Sequence, residues 1–234
     1  MSSDILTGKL LGLLAHDLRT PLSSVLLHLE LLEGASGLTS DEREDLAYAL
    51  GSARALTEMI DLAVDAVRGV EPVMDEHDLV MIVRQAAERP AEAEAASGSP
   101  VHVDAPDTLG VRCDHRLTLR AVRQMIGAAR AVTPPDRTVN VRLSADTQRG
   151  RVEVVDEGVA IPAELREQLF DAAGAVAIRA EHGSLSRGIG PVFCRRVARA
   201  HGGEAGVDPI PEQPEARGNA FWIEVPLGKA GPAS

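Results

Sequence analysis

Apolar residues spaced three and four apart run through almost all of the first seventy residues, a pattern that a pair of long amphipathic helices satisfies and little else does. Between Asp4 and Glu33 the stripe is Leu11, Leu14, Leu18, Leu22, Val25, Leu29 and Leu32. Gly34, Ser36 and Gly37 break it, and Thr39 with Glu42 three positions on forms a capping box that opens a second helix. Leu46, Ala49, Ala53, Leu56, Ile60, Ala63 and Val67 then repeat in heptad-like fashion until Gly69 and Pro72 end the run. Two helices joined by a short turn make an antiparallel hairpin that still leaves much apolar surface in water. Leu13, Leu26, Leu27 and Leu31 lie outside the narrow seam as well, so the expected form is a homodimer in which two hairpins close a four-helix bundle.

Beyond Pro72 the pattern changes. Leu79, Ile82, Val83 and Ala86 predict a short helix, and the Ala/Glu/Ser/Gly/Pro stretch from Pro90 to Pro100 reads as a loop. Val101–Val103 alternates as a strand, Asp114–Val132 is helical, and Thr138–Leu143 with Arg151–Val155 are strands around a turn at Gln148–Gly150. A helix near Ala163–Phe170, an aperiodic Ala/Gly/Ser-rich segment Asp171–Arg187 expected as a mobile loop, a helix Ile189–His201 and a last strand Ala220–Leu227 follow. The fold class is therefore α+β: a helical hairpin over residues 1–70, then an α/β sandwich over 71–234 with one mixed sheet and helices on a face.

Composition narrows the function. A formal net charge of -11 repels a phosphate backbone, and aromatics at 2% leave few platforms for stacked bases, so no nucleic-acid partner is expected. No apolar run reaches the roughly 18 residues of a membrane span. The Met1–Asp4 start lacks the basic and apolar blocks of a secretory signal, and the two isolated cysteines, Cys113 and Cys194, suit a reducing compartment. A cytoplasmic protein with no membrane contact is the expectation. Of the histidines other than His16, none shows the helical or carboxylate spacing of a metal site.

His16 is different. At 100° per residue it points about 160° away from Leu14 and from Leu18, so it faces solvent when the stripe faces the bundle. Asp17 is its neighbour and Thr20 lies one turn on along the same face, which brings a carboxylate and a hydroxyl toward an imidazole. A neutral imidazole is a good nucleophile, and an adjacent carboxylate holds its tautomer and accepts its proton. An arbitrary helical histidine is more often a plain surface residue. Thr20-Pro21 within this helix, however, sacrifices a backbone hydrogen bond at about 3 kcal/mol, which a purely structural rod has little reason to do.

The run His16-Asp17-Leu18-Arg19-Thr20-Pro21-Leu22 resembles the phosphoacceptor box of two-component sensor histidine kinases. Val155-Asp156-Glu157-Gly158-Val159-Ala160 is similar to the first glycine box of that family's ATP-binding domain, which is related to that of gyrase. Arg187-Gly188-Ile189-Gly190-Pro191, before a helix ending in Ala200-His201-Gly202-Gly203, is similar to the second. The resemblance spans roughly residues 4 to 228, in the family's order throughout. It implies a dimeric phosphoacceptor domain followed by a histidine-kinase ATPase domain. His16 would be phosphorylated, Asp17 would act as general base, and Thr20 would orient water for dephosphorylating a response regulator. ATP with magnesium would be the cofactor: Asp156 would accept a hydrogen bond from the adenine amino group, Gly158 would let backbone approach the base, and Gly188 and Gly190 would face phosphates.

The chain also departs from the family. Aligned on Arg116-Leu117 and Thr133-Pro134, the two asparagines that hold magnesium and phosphates become Gln124 and Ala128, and Ala160 stands where a glycine is usual. Gln124 keeps an amide oxygen one methylene further out, whereas Ala128 offers magnesium nothing. Three functions stay open on the sequence: an ATP-dependent histidine kinase that passes its phosphoryl group from His16 to a response-regulator receiver domain; a phosphotransfer protein whose ATP-binding half no longer supports autophosphorylation; and a non-enzymatic dimeric interaction module. The sequence shows no sensory region, so input is expected from an upstream sensor protein, a soluble ligand or control of the regulator.

Overall fold

The computed structural model describes residues 2–68, 70–88, 99–182, 185, 188–210 and 217–228. Two compact units divide them, the first holding the residues up to 68 and the second those from Val70 onward. No helix among the described residues is long and apolar enough to cross a membrane.

The first unit is the hairpin of α1 (Ser2–Glu33) and α2 (Ser40–Arg68). Gly37, with φ 106°, takes the left-handed turn between them. The capping box forms in both directions: the Glu42 N–H donates to Thr39 Oγ1 at 3.3 Å, and the Thr39 N–H donates to Glu42 Oε2 at 2.9 Å. The Thr39 N–H and the Thr39 hydroxyl, both donating to Glu42 Oε2, hold the Glu42 carboxyl below the usual carboxylate range. Arg19 reaches across to Asp61 with Nε and Nη2 at 2.9 and 2.6 Å.

The seam departs from the expected one. Ala15, Leu50 and Ala53 are buried and Leu11, Leu22, Leu26 and Leu29 half-buried, whereas Leu14 and Leu18 are 60% and 47% exposed. A straight helix of 3.6 residues per turn drifts against a 3.5-residue repeat, so two neighbouring stripes share α1. Spacing alone does not say which one meets α2.

The second unit opens with β1 (Asp75–Asp78), α3 (Leu79–Ala87), β2 (Val101–Asp104), β3 (Gly110–Cys113) and α4 (His115–Val132). It continues with β4 (Val139–Ala145), β5 (Arg149–Val159), the short α5 (Ala163–Arg166), a 3₁₀ turn Gln168–Phe170, α6 (Ala172–Glu181), α7 (Gly190–Ala200), β6 (Ala205–Pro209) and β7 (Arg217–Pro226). Five strands form one mixed sheet in the order β2-β4-β5-β7-β6, parallel only between β2 and β4, while β1 and β3 pair antiparallel beside it.

Helices α3, α4 and α7 bury Val83, Ile126 and Phe193 against Val141, Val154 and Ile223 of the sheet. The sheet's other face carries polar side chains. There Arg151 lies 4.2 Å from the Trp222 ring centre and binds Glu224 at 3.2 Å and Asp208 at 2.9 Å.

Several expectations need correction. Asp171–Arg187 is not a loop throughout: α6 fills Ala172–Glu181, capped by Asp171 Oδ2 accepting from the Gly174 N–H at 2.9 Å. It escaped the periodicity because a single residue, Ile178, is buried. Residues 183, 184, 186 and 187 of that stretch fall outside the described ones, as do 90–98 of the expected Pro90–Pro100 loop. The helix expected to reach Phe170 stops at Arg166 and tightens into the 3₁₀ turn. The β4–β5 turn sits on Asp146, whose Oδ1 accepts from the Gln148 and Arg149 N–H groups, so Arg149 and Gly150 already belong to β5. Strands β1, β3 and β6 were not anticipated, being four or five residues long and built largely of charged, glycine or proline positions.

The start of α4 joins three elements. Asp114 Oδ1 accepts from the Leu117 N–H at 2.9 Å and Oδ2 from the Val73 N–H at 2.9 Å, while its own N–H donates to His201 Nε2 at 2.8 Å. His201 is buried, with Nδ1 2.7 Å from the Val197 carbonyl oxygen. Burial works against the Asp114 carboxylate, but the Leu117 and Val73 donors, with Arg116 and His201 nearby, hold its pKa below the ordinary value. A carboxyl whose folded pKa is depressed contributes stability above its unfolded pKa and loses it as pH falls through the folded one. Asp114→Ala is expected to lower unfolding free energy by about 1–2 kcal/mol at neutral pH, and the gap from the parent protein should narrow below about pH 4. Chemical denaturation across pH measures both; a gap that widens in acid would contradict the assignment.

Candidate functional site

His16 stands on α1 with 78% of its side chain exposed, one position from the buried Ala15. Its Nδ1 lies 3.4 Å from Asp17 Oδ1, so a proton on Nδ1 faces the carboxylate and leaves the Nε2 lone pair directed outward. Thr20 is also exposed, but its hydroxyl donates to the His16 carbonyl oxygen at 3.3 Å, so it engages the backbone and not the ring. The helix continues through Pro21, which has no N–H for the Asp17 carbonyl. An exposed imidazole with one nitrogen oriented by a carboxylate can attack an electrophile presented by another molecule.

In the second unit, strand alternation places the other candidate residues. Gly150, Val152, Val154, Asp156 and Gly158 point to the helix-covered face of β5, so Asp156 ends an otherwise apolar row and is 1% exposed. A carboxylate there requires hydrogen bonds. Its Oδ1 accepts from the Gly158 N–H at 2.9 Å and from Asn219 Nδ2 at 3.0 Å. Asn219, directly opposite on β7, also donates from Nδ2 to the Val159 carbonyl oxygen and accepts from the Ile161 N–H. The Glu157 N–H donates to Thr133 Oγ1 at 3.2 Å, which ties the same loop to the end of α4.

Gln124 and Ala128, one turn apart on α4, line a pocket with Met125, Phe170, Gly190, Pro191 and Cys194, closed by Phe221 and Trp222 of β7. Gly190 opens α7, and Gln124 Oε1 would lie 3.4 Å from any Cβ added to it. Gly188 is exposed and left-handed at φ 63°. The structure thus gathers Gln124 and Gly190 in one pocket. Asp156 and Gly158 are not among its lining residues; they form the hydrogen-bonded β5 end with Asn219. Among the described residues no group of three His, Cys, Asp or Glu side chains could hold a metal ion. Sequence reasoning missed Asn219 by one position, because the last strand was started at Ala220. Extending the inward alternation of Phe221, Ile223 and Val225 back by two residues would have found it.

A helical hairpin bearing an exposed histidine, joined to a mixed sheet layered by three helices, defines a phosphoacceptor and ATPase pair of domains. Residues 7–68 match the His Kinase A (phospho-acceptor) domain, and residues 113–229 match the histidine kinase-, DNA gyrase B- and HSP90-like ATPase domain. The chain belongs to the two-component sensor histidine kinase family.

It is 25% identical over 231 residues to the adaptive-response sensory kinase SasA of Crocosphaera subtropica, covering 94% of this chain and 59% of that protein. Sensor histidine kinase AruS of Pseudomonas aeruginosa is 27% identical over 243 aligned positions, covering 98% of this chain and 23% of the relative. The chain therefore spans less than two thirds of the length of these relatives. Among solved structures, full-length ShkA in complex with AMPPNP superposes with a TM-score of 0.69 at 23% identity, over 96% of this chain and 47% of that one. The mycobacterial sensor histidine kinase MprB gives 0.55 at 24% identity, over 66% of this chain and 98% of that one. These likenesses show the shared fold.

Both thiols are buried. Burial pushes Cys194 up to about 12, and burial also raises Cys113, assisted by the Asp114 and Glu76 charges. Neither is expected to react with iodoacetamide at pH 8 in the folded protein, and both should react once the chain is unfolded. Mass spectrometry of the alkylated protein reads this directly; rapid native labelling of Cys194 would contradict the packing of α7 on α4.

Proposed function

We propose that the chain acts as a homodimer, is phosphorylated on His16 and exchanges that phosphoryl group with an aspartate of a response-regulator receiver domain. The observation that carries the reading is the exposed His16 ring with Nδ1 facing Asp17. Nε2 attacks phosphorus, the P–O bond to the receiver aspartate breaks and its carboxylate leaves, and the Nδ1 proton passes to Asp17. The reverse sequence phosphorylates the receiver. Thr20 leaves its backbone contact to orient water when the phosphoryl group is hydrolysed. Leu14, Leu18, Val25 and Leu32, all exposed along one heptad-spaced stripe of α1, supply the surface for a second copy.

The second unit fits the adenosine end of ATP and not its magnesium end. A buried, oriented carboxylate at Asp156 suits an exocyclic amino group. The pocket at Gln124 and Ala128 offers one side-chain amide oxygen among carbon and sulfur, whereas magnesium requires an octahedron of oxygens. That lining favours a second reading of the phosphoryl source: it comes from a phosphorylated receiver, and the ATPase-type unit binds nucleotide without performing the kinase step.

Incubation with radiolabelled phospho-receiver domains should place acid-labile label on the chain, and His16→Ala should abolish it. Label that persists in His16→Ala would refute the phosphoacceptor assignment. Magnesium and labelled ATP should give little label on the same timescale; efficient labelling from ATP would restore the ATP-dependent kinase and discard the second reading.

A further inference from the structure

Asn219 is 2% exposed on the strand next to Asp156, and its hydrogen bonds account for the whole donor capacity of its side chain. One Nδ2 hydrogen goes to Asp156 Oδ1 at 3.0 Å and the other to the Val159 carbonyl oxygen at 3.0 Å. Oδ1 accepts from the Ile161 N–H at 2.8 Å, which fixes which end of the amide is oxygen. With both hydrogens engaged by the protein, this amide has no donor for a ligand. What it does instead is hold both ends of the segment Asp156–Ile161 against β7.

The backbone has been shaped for that contact. Gly218, immediately before Asn219, is left-handed at φ 84°, and a Cβ on it would run into the Asp156 carbonyl oxygen and the Ile210 side chain. The β5–β7 ladder breaks register between Asp156 and Val159, and the Asn219 amide spans that irregularity by binding both residues.

We propose that Asn219 is the positioning residue of the nucleotide-base site: together with the Gly158 N–H it fixes the rotation of the Asp156 carboxylate and so sets the site's preference for a purine with an amino group at C6 over one with an oxo group there. The inference rests on the reading above that Asp156 meets the base. An amino group donates to a fixed carboxylate oxygen, whereas an oxo group opposes it acceptor to acceptor. Without the Asn219 donor the carboxylate keeps the Gly158 N–H on the same oxygen but loses the side-chain anchor across the strand, and its hydrogen bond to the base and the discrimination weaken together.

The test is calorimetry on the full chain in EDTA with ADP and GDP. The wild type should bind ADP more tightly than GDP. Asn219→Ala should weaken ADP binding by about tenfold or more, the loss expected for a hydrogen bond to a charged group, and bring the ADP-to-GDP ratio toward one. Asn219→Asp keeps the shape but sets a second acceptor against Asp156, the one titratable side chain among the hydrogen-bond partners of Asn219. Its ADP affinity relative to the wild type's at the same pH should rise as pH falls from 8 to 5.5, because a proton shared between the two carboxyls restores the missing donor. Cooperative thermal unfolding of both variants establishes that they fold.

Wild-type ADP affinity and selectivity retained in folded Asn219→Ala would overturn the positioning role and leave the base site standing. So would an Asn219→Asp variant whose affinity relative to the wild type ignores pH. No ADP binding by the wild type would overturn the base site and this role with it.

Discussion

The Asp114 carboxylate and backbone carry the second unit. One residue caps α4, holds the incoming chain at Val73, and through its N–H fixes His201 at the far end of α7. Gln124, Asp156, Gly158 and Gly190 stand on α4, on α7 or on the strands these helices cover, and Gly188 lies in the turn that enters α7. Fixing the start of one helix against the end of the other sets how Gln124 and Gly190 face each other across the pocket. The interaction is local and made by a polar residue that is itself buried, so it holds only while all its hydrogen bonds are made.

Much of the architecture could be read from the residues because it rests on periodicity. The two stripes and the Thr39–Glu42 box defined the hairpin, and alternation defined β5 and most of β7. Legibility failed wherever structure depends on contacts between distant segments. Leu14 and Leu18 carry the same spacing as the residues that meet α2, and the 3.6-residue turn decides between them. α6 buries only Ile178 and has no stripe to show. Strands β1, β3 and β6 take their order from pairing with neighbours, a property that Asp, Gly and Pro residues do not announce.

The candidate site divides in the same way. His16 and Asp17 are adjacent and sit in a long helix, so their geometry followed from 100° per residue. Asp156 came from a motif, but its burial follows from its place in an inward-facing row with Val152 and Val154. Asn219 lies 63 residues further along the chain and joins Asp156 only through strand register. The apolar character of the pocket at Ala128 is likewise contributed by Phe170, by Pro191 and Cys194 of α7, and by Phe221, drawn from three separate stretches of sequence.

The strand order has its own consequence for self-association. The borders of the five-stranded sheet are β2, four residues long, and β6, five residues long and finishing in Pro209. Neither offers an incoming polypeptide more than a few amide groups, and proline removes one donor outright. Among the described residues both margins of the sheet therefore offer little edge for strand addition. The second copy proposed above would meet this chain through the exposed leucines of α1 instead, a contact that closes on itself where strand addition would be open-ended.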